Sequence, residues 1–493
     1  MNDSVKKINR QMAKGSAWMG LFKIVEKSLS IISTIILARL LAPEDFGLIA
    51  LAMMVIAFLE LMRAFGFDMA LIQNQDATPQ HYNTAWTFNI IAAGLIALAL
   101  YFLTPAASAF YEDDRLSSII PLLALGIIAS GFENIGVVAF RKELTFHKEF
   151  LYLLSKKVIS FTTAISLAFY FQNYWALVWA FVVTKISVVV VSYLVHHYRP
   201  RLSLSKAKEL FSFSGWLFIN NILIFLNQKA PEMIIGKTVG IESLGSFVIS
   251  RDIAKAASTE LVAPINRATF PGYSKLSNKL YDLKDSFLNT QGLIAILIIP
   301  ASFGFAAITP VMVPTLLGEQ WLETTSFMHI IAFSSLIIGI NSIQPVYIAL
   351  GKPRLVAKLA LVRIVILIPL ILLLSHNFST VGAAWALLTT SFIMLPFNYF
   401  PIMKMINIST YELLTKIIRP LIASGIMYFV LEYVLHSDIM NEASAYSLID
   451  LAILIIIGAL TYPALLLTFW LIAGKPDGSE KQIIQTIRKK LSK

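Results

Sequence analysis

Apolar runs of about 20 residues recur along the whole chain, separated by short polar connections, and that length matches the ~30 Å hydrocarbon core of a bilayer. Fourteen can be bounded, near 17–41, 45–72, 84–109, 117–140, 150–171, 174–197, 213–236, 242–270, 287–312, 325–350, 354–375, 380–403, 417–436 and 446–472. Those near 17–41 and 242–270 are the least hydrophobic, and are included because their neighbours require a crossing. In lipid, a segment must satisfy its own backbone hydrogen bonds, so runs of this length read as helices. The expected fold is all-α: a polytopic membrane protein of about fourteen transmembrane helices. Composition agrees, with only 14% charged residues and a mean hydropathy of +0.73. A soluble domain carries about 25% charge, and this chain has too little to cover a water-exposed surface.

The connections alternate in charge. With the N-terminus in the cytoplasm, inward-facing segments hold roughly 26 Lys and Arg and outward-facing ones hold two, Arg115 and Lys237. This excess marks cytoplasmic loops, so both termini are expected inside. The net charge of +11 therefore reflects orientation and gives no reason to expect nucleic-acid binding. There is no cysteine, which excludes disulfides, thiol nucleophiles and Cys-bound metals. The seven His are scattered, so no metal and no cofactor are expected. The first 14 residues are polar and basic, and the run after them is too long for a cleaved signal. No connection exceeds about 20 residues, which leaves no room for a soluble catalytic domain, and no enzyme activity is expected. The basic tail is expected to be solvated beside anionic headgroups.

An internal repeat subdivides the spans. At an offset of 198, Ser16-Ala17-Trp18 aligns with Ser214-Gly215-Trp216, and the stretch from Ala38 to Gly47 aligns with that from Gly236 to Gly245. That offset covers six spans, an even number, so both copies start on the same side. The expected organisation is a basic N-terminus (1–16), an N-lobe of six spans (17–198), a cytoplasmic loop (199–212), a C-lobe of six spans (213–404), two additional spans (405–472) and a basic tail (473–493). Glu44 and Glu242 are expected to cap the second helix of each lobe, where the helix dipole favours an anion. Trp175, Trp179 and Trp321 read as interface anchors.

Charges inside spans are costly and usually face a cavity. Here they concentrate in the first two spans of each lobe: Lys23, Glu26 and Lys27; Glu60, Arg63 and Asp68; Lys229 and Glu232; Arg251, Asp252, Lys255, Glu260 and Arg267. Lys23 and Lys27 share a helix face, as do Arg251 and Lys255. The candidate binding residues are Lys23, Lys27, Arg63, Asn220, Lys229, Arg251 and Lys255, whose cations would attract phosphate oxygens. Glu26, Glu60 and Asp252 are candidates for proton titration. Simpler roles compete: Lys23, Arg63, Asp68 and Arg267 are placed to snorkel, and Lys229 and Glu232 to neutralise each other. Arg363 and Lys185 are lone charges, read as structural.

Leu37-Ala38-Arg39-Leu40-Leu41-Ala42-Pro43-Glu44-Asp45-Phe46-Gly47, Phe140-Arg141-Lys142-Glu143-Leu144-Thr145-Phe146, Pro264-Ile265 with Phe270-Pro271, and Gly318-Glu319-Gln320-Trp321 resemble the polysaccharide transporter (Wzx-type flippase) family of the multidrug/oligosaccharidyl-lipid/polysaccharide (MOP) superfamily. Within it the match is to the branch of the colanic-acid and teichuronic-acid exporters, over residues 10–470. The resemblance implies a flippase in the bacterial cytoplasmic membrane. Such a protein moves polyprenyl-pyrophosphate-linked oligosaccharides outward by alternating access, for lipopolysaccharide, exopolysaccharide or other surface glycans. It also implies a cationic cavity lined by the first two helices of each lobe, and partners in membrane lipid and in polymerase and export machinery. The alternative is a multidrug or cation antiporter of the same superfamily. That activity needs an unbalanced carboxylate, whereas Glu26 lies between Lys23 and Lys27.

Overall fold

The computed structural model describes residues 3–61, 67–74, 76–211, 215–437, 446–476, 478–481 and 485. Within these, the side chains of residues 3–13, 16, 68, 73, 210–211, 215–220, 257 and 259–260 lie outside the description. Among the described residues the regular structure is entirely helical. Eight helices are long and apolar enough to cross a bilayer, or nine if Leu116–Gly131 and Ile135–Lys142, bent by 65°, form one span. The chain divides into two compact units, Met1–Lys237 and Thr238–Lys493.

Unit 1 begins with α1 (Asp3–Leu40), α2 (Pro43–Glu60), α3 (Phe67–Gln73), α4 (Pro79–Tyr111) and α5 (Leu116–Gly131). It continues through α6 (Ala139–Lys142), α7 (Phe146–Phe171), α8 (Trp175–Val195), α9 (Ala207–Phe211) and α10 (Gly215–Thr238). Pro43 opens α2 at a position whose N–H would have no helical partner anyway. The cap is supplied by Asp45, not by Glu44 as expected. The Asp45 carboxylate accepts from Ala42 N at 2.9 Å and from Tyr174 N at 2.8 Å, because the third helical residue, not the second, can reach back to the chain entering the helix. Glu44 instead accepts from the Arg115 guanidinium at 2.6 Å.

α1 and α7 ascend together. The ring of Phe146 lies against Gly15, Trp18 packs at a tilt against Phe150 with centroids 4.9 Å apart, Lys157 bonds Ser30, and Leu37 and Leu41 pack with Ala164 and Ala168. α4 and α5 approach closely at Gly131, where a Cβ would come within 2.7 Å of Ala93 Cβ. Past that point the chain bends about Asn134, which is fully buried. Its amide donates to Tyr198 O at 2.8 Å and its oxygen accepts from Gly136 N at 2.9 Å. The segment after α8 is laid along α4: Arg201 N donates to Asn83 Oδ1, Ser203 N to Thr87 Oγ1 and Lys206 N to Thr84 Oγ1.

Unit 2 contains α11 (Ile241–Ala257), α12 (Thr259–Leu276), α13 (Leu280–Met312), α14 (Thr325–Ile340), α15 (Gln344–Ala349), α16 (Pro353–Ile406), α17 (Thr410–Leu435) and α18 (Leu448–Ile472). α16 has 54 residues, and a straight helix of that length would run about 80 Å, over twice the hydrocarbon core. It is interrupted at Phe378 and Ser379, between the apolar runs expected at 354–375 and 380–403. Trp321, expected at the interface, is fully buried in the core, because the Glu319–Thr324 turn folds inward. The segment after α18, expected to be solvated, is also packed. Ser479 and Glu480 are 2% and 5% exposed, held by a Ser479 Oγ bond to Asn289 O and an Arg419 ion pair.

Helix ends recur along the chain at the interval of the sequence repeat. α1 and α10 stop at Leu40 and Thr238, and α2 and α11 start at Pro43 and Ile241, each pair 198 residues apart.

Candidate functional site

Each intramembrane charge costs free energy unless it is paired or solvated, so the partners of these groups are the first test of a site. In unit 1, Lys23 Nζ lies 2.6 Å from Glu26 Oε2, one helical turn along α1. Lys27 is half-buried on the same face. On α10, Lys229 Nζ bonds both oxygens of Glu232 at 2.9 and 2.8 Å, and Glu232 is only 1% exposed. Neutralising each other, as the spacing allows, is therefore one role of this pair. Glu60 closes α2 and is half-buried. Arg63 and the side chain of Asn220 lie outside the described residues.

In unit 2, Arg251 carries 12% side-chain exposure, with Asp252 Oδ1 at 4.0 Å and the Phe247 ring centroid at 5.8 Å. Asp252 itself is 58% exposed. Lys255, one turn on, is half-buried. A guanidinium and an ammonium on one face of α11 form a bidentate fork beside a point charge, a donor set suited to phosphate oxygens. Among the described residues no group of three or more His, Asp or Glu is arranged to hold a metal ion.

The sequence reading passed over a second set of charges in unit 1. Lys156 Nζ lies 3.2 Å from Glu133 Oε1, which also accepts from the Tyr152 hydroxyl at 2.5 Å. Lys157 Nζ donates to Ser30 Oγ at 2.8 Å, and Ser30 in turn donates to Glu26 O. The signal was the adjacent Lys156 and Lys157 well inside an apolar run. The two cations expected outside are paired: Arg115 with Asp113 and Glu44 at 2.6 Å, and Lys237 with Glu112 at 2.7 Å.

A cavity of about 330 Å³ opens in unit 2 between α13, α17 and α18. Its lining is apolar, including Pro300, Gly304, Phe305, Met427, Leu454 and Gly458. The one hydroxyl there, on Tyr462, is committed to Ile296 O at 2.9 Å. Gly304 and Gly458 lack the side chains that would fill the space between these helices.

A sequence model described as "polysaccharide biosynthesis protein" matches residues 36–326. The chain is 21% identical over 410 residues to the lipopolysaccharide biosynthesis protein WzxC of Escherichia coli K12, covering 82% of this chain and 83% of that one. It is 22% identical over 353 residues to the teichuronic acid biosynthesis protein TuaB of Bacillus subtilis 168, covering 71% and 73%. Its fold is similar to that of the lipid II flippase MurJ in an inward closed conformation, with a TM-score of 0.73, 15% identity, and coverage of 92% and 99%. With the family match spanning more than half its length, this multi-pass membrane protein belongs to the polysaccharide biosynthesis protein family.

Proposed function

We propose that this chain flips a polyprenyl-pyrophosphate-linked oligosaccharide from the cytoplasmic to the outer leaflet, by alternating access of two six-helix lobes related by a pseudo-twofold axis. The observation that supports the reading is the set of basic side chains on the helices read as the first two spans of each lobe: Lys23 and Lys27 on α1, Lys229 on α10, Arg251 and Lys255 on α11. A diphosphate crossing lipid needs such donors, because an isolated ion there is too costly. Two membrane-buried ends of the same substrate then have different hosts. The charged end meets the basic groups, and the apolar cavity of unit 2 has the chemistry to seat part of the polyprenyl chain. Recurrence of helix ends at 198 residues supports the parallel repeat.

In this reading there are fourteen spans, and the loop at 199–212 joins the lobes. Both termini are cytoplasmic, in the bacterial inner membrane. Polymerase and export machinery would receive the flipped product. A cation antiporter is disfavoured because Glu26, Glu133 and Glu232 each have a lysine within 3.2 Å, leaving no net negative charge at those positions.

The test is the leaflet distribution of undecaprenyl-linked glycan in cells lacking this chain, complemented by wild type or by Arg251→Ala/Lys255→Ala. Build-up on the cytoplasmic leaflet, relieved only by wild type at equal expression, is the expected result. Rescue by the double variant would remove Arg251 and Lys255 from the site. No build-up in the deletion, with surface glycan intact, would sink the flippase reading.

A further inference from the structure

Two helical pairs, one in each unit, are built alike. α7 gives way to α8 at Gln172, with φ 50°, and the first half of α16 gives way to the second at Ser379, with φ 51°. These residues are 207 positions apart. At the same interval the buried positions coincide: Ala164 with Ile371, Ala168 with Ser375, Ala176 with Ala383, and Ala180 with Leu387, none more than 9% exposed. Carried back along the helices, this register sets Lys156 against Arg363. A basic residue thus stands at the same place in both units.

Their surroundings differ. Lys156 is neutralised by Glu133 at 3.2 Å and lies over the Tyr152 ring at 5.0 Å. The counterpart of Tyr152 in unit 2 is Leu359. Among the described residues Arg363 makes no hydrogen bond, ion pair or ring contact, and its Nε is buried. On the span reading it stands ten residues into α16, about 15 Å along the axis and near mid-bilayer, far from either interface. Leu361 and Val365 occupy the exposed face, at 51% and 63%, whereas Leu359 and Leu367, one turn to either side of Arg363, pack inward. An uncompensated guanidinium in such a place destabilises the resting protein.

We propose that Arg363 is an anion-binding residue of unit 2 that takes phosphate oxygens of the substrate in mid-bilayer. The assignment rests on the flippase reading and adds to it a residue outside the first two helices of either lobe. Phospholipid headgroups stay at the interface, so an anion at this depth arrives as cargo. The planar fork of arginine suits two phosphate oxygens at once, which one ammonium does not.

Three variants test it: Arg363→Met, Arg363→Lys and Lys156→Met. In cells lacking the chain, Arg363→Met at wild-type membrane levels should export at least tenfold less glycan, and Arg363→Lys should retain part of the activity. The purified Arg363→Met protein should melt at or above the wild-type temperature, since an unpaired charge has gone. Lys156→Met should melt lower, since Glu133 loses its counter-charge and keeps only the Tyr152 hydroxyl. In phosphatidylcholine nanodiscs, undecaprenyl pyrophosphate should raise the wild-type midpoint more than undecaprenol does, and Arg363→Met should lose that difference.

Normal export by Arg363→Met, with wild type required for export, overturns the assignment and leaves the flippase standing. Lost export together with a lowered midpoint makes Arg363 structural and also overturns it. An equal, Arg363-dependent shift with phosphatidylglycerol would make this a headgroup site and overturn the cargo role. A deletion without any glycan defect removes the flippase reading and this assignment with it.

Discussion

Replacing Arg419 by Met should release the C-terminal segment from unit 2. Glu480 is 5% exposed, and Arg419 Nη1 lies 2.8 Å from its Oε1. That nitrogen is not aligned for a hydrogen bond, so the contact is chiefly coulombic. Removing one partner of a buried pair costs about 3–5 kcal/mol, and the poor alignment puts this case near 3 kcal/mol. Docking of the segment should therefore weaken about a hundredfold. Hydrogen exchange by mass spectrometry reads this directly: amides of residues 478–481 should lose about two orders of magnitude of protection in Arg419→Met. In Arg419→Met/Glu480→Leu most of it should return, because neither charge is left buried and Ser479 still bonds Asn289 O. Gly292 lets that bond form, since a Cβ there would come within 2.6 Å of Ser479 Oγ. Unchanged exchange in the single variant would refute the reasoning. So would a double variant as exposed as the single one.

Asn134→Ala leaves the N–H of Gly136 without its partner in a buried bend, a loss of about 1–3 kcal/mol, while the Tyr198 carbonyl keeps only the Arg199 guanidinium at 2.9 Å. A lowered thermal midpoint of the purified protein, with faster exchange at 196–198, is expected. The turn at Glu112–Arg115 should be acid-sensitive. The Arg115 guanidinium holds the Asp113 carboxyl below its usual range, and the Lys237 ammonium does the same for Glu112. A depressed carboxylate contributes stability above its unfolded pKa, about 3.9 for Asp, and loses it as pH falls through the folded value. The turn should thus be fully protected at pH 5, begin to lose protection below about pH 4 and open as pH falls further. Arg115→Gln should already open it at pH 5, measured by exchange corrected for intrinsic rates.

Much of the helix layout was legible because burial in lipid demands long apolar runs whatever their neighbours. The interval of 198 was legible too, since helix ends at Leu40 and Pro43 follow from the same small and acidic residues as those at Thr238 and Ile241. Pairing was harder to read. Lys229 and Glu232 lie one turn apart on one helix, so spacing exposed them, whereas Lys156 meets Glu133 only through packing of separate segments. Asp45 replaced Glu44 as the cap because geometry at the third helical residue outweighs proximity to the terminus. The docked tail was invisible, because its basic composition says nothing about the buried Ser479 and Glu480 within it. Arg363 was read as a structural lone charge, and only its three-dimensional surroundings reveal that it has no partner among the described residues.

The paired outer turn also bears on how the chain reaches the membrane. With the N-terminus inside, as proposed, the hairpin of α4 and α5 must push Glu112, Asp113, Asp114 and Arg115 across the bilayer during synthesis, three acids against one base. An energised membrane, positive outside, pulls on that excess with about 2.3 kcal/mol per charge per 100 mV. Arg115 would oppose the pull, but it travels within two residues of Asp113, the acid that will hold it. The same residues that steady the finished turn thus make a load that the membrane potential helps to deliver.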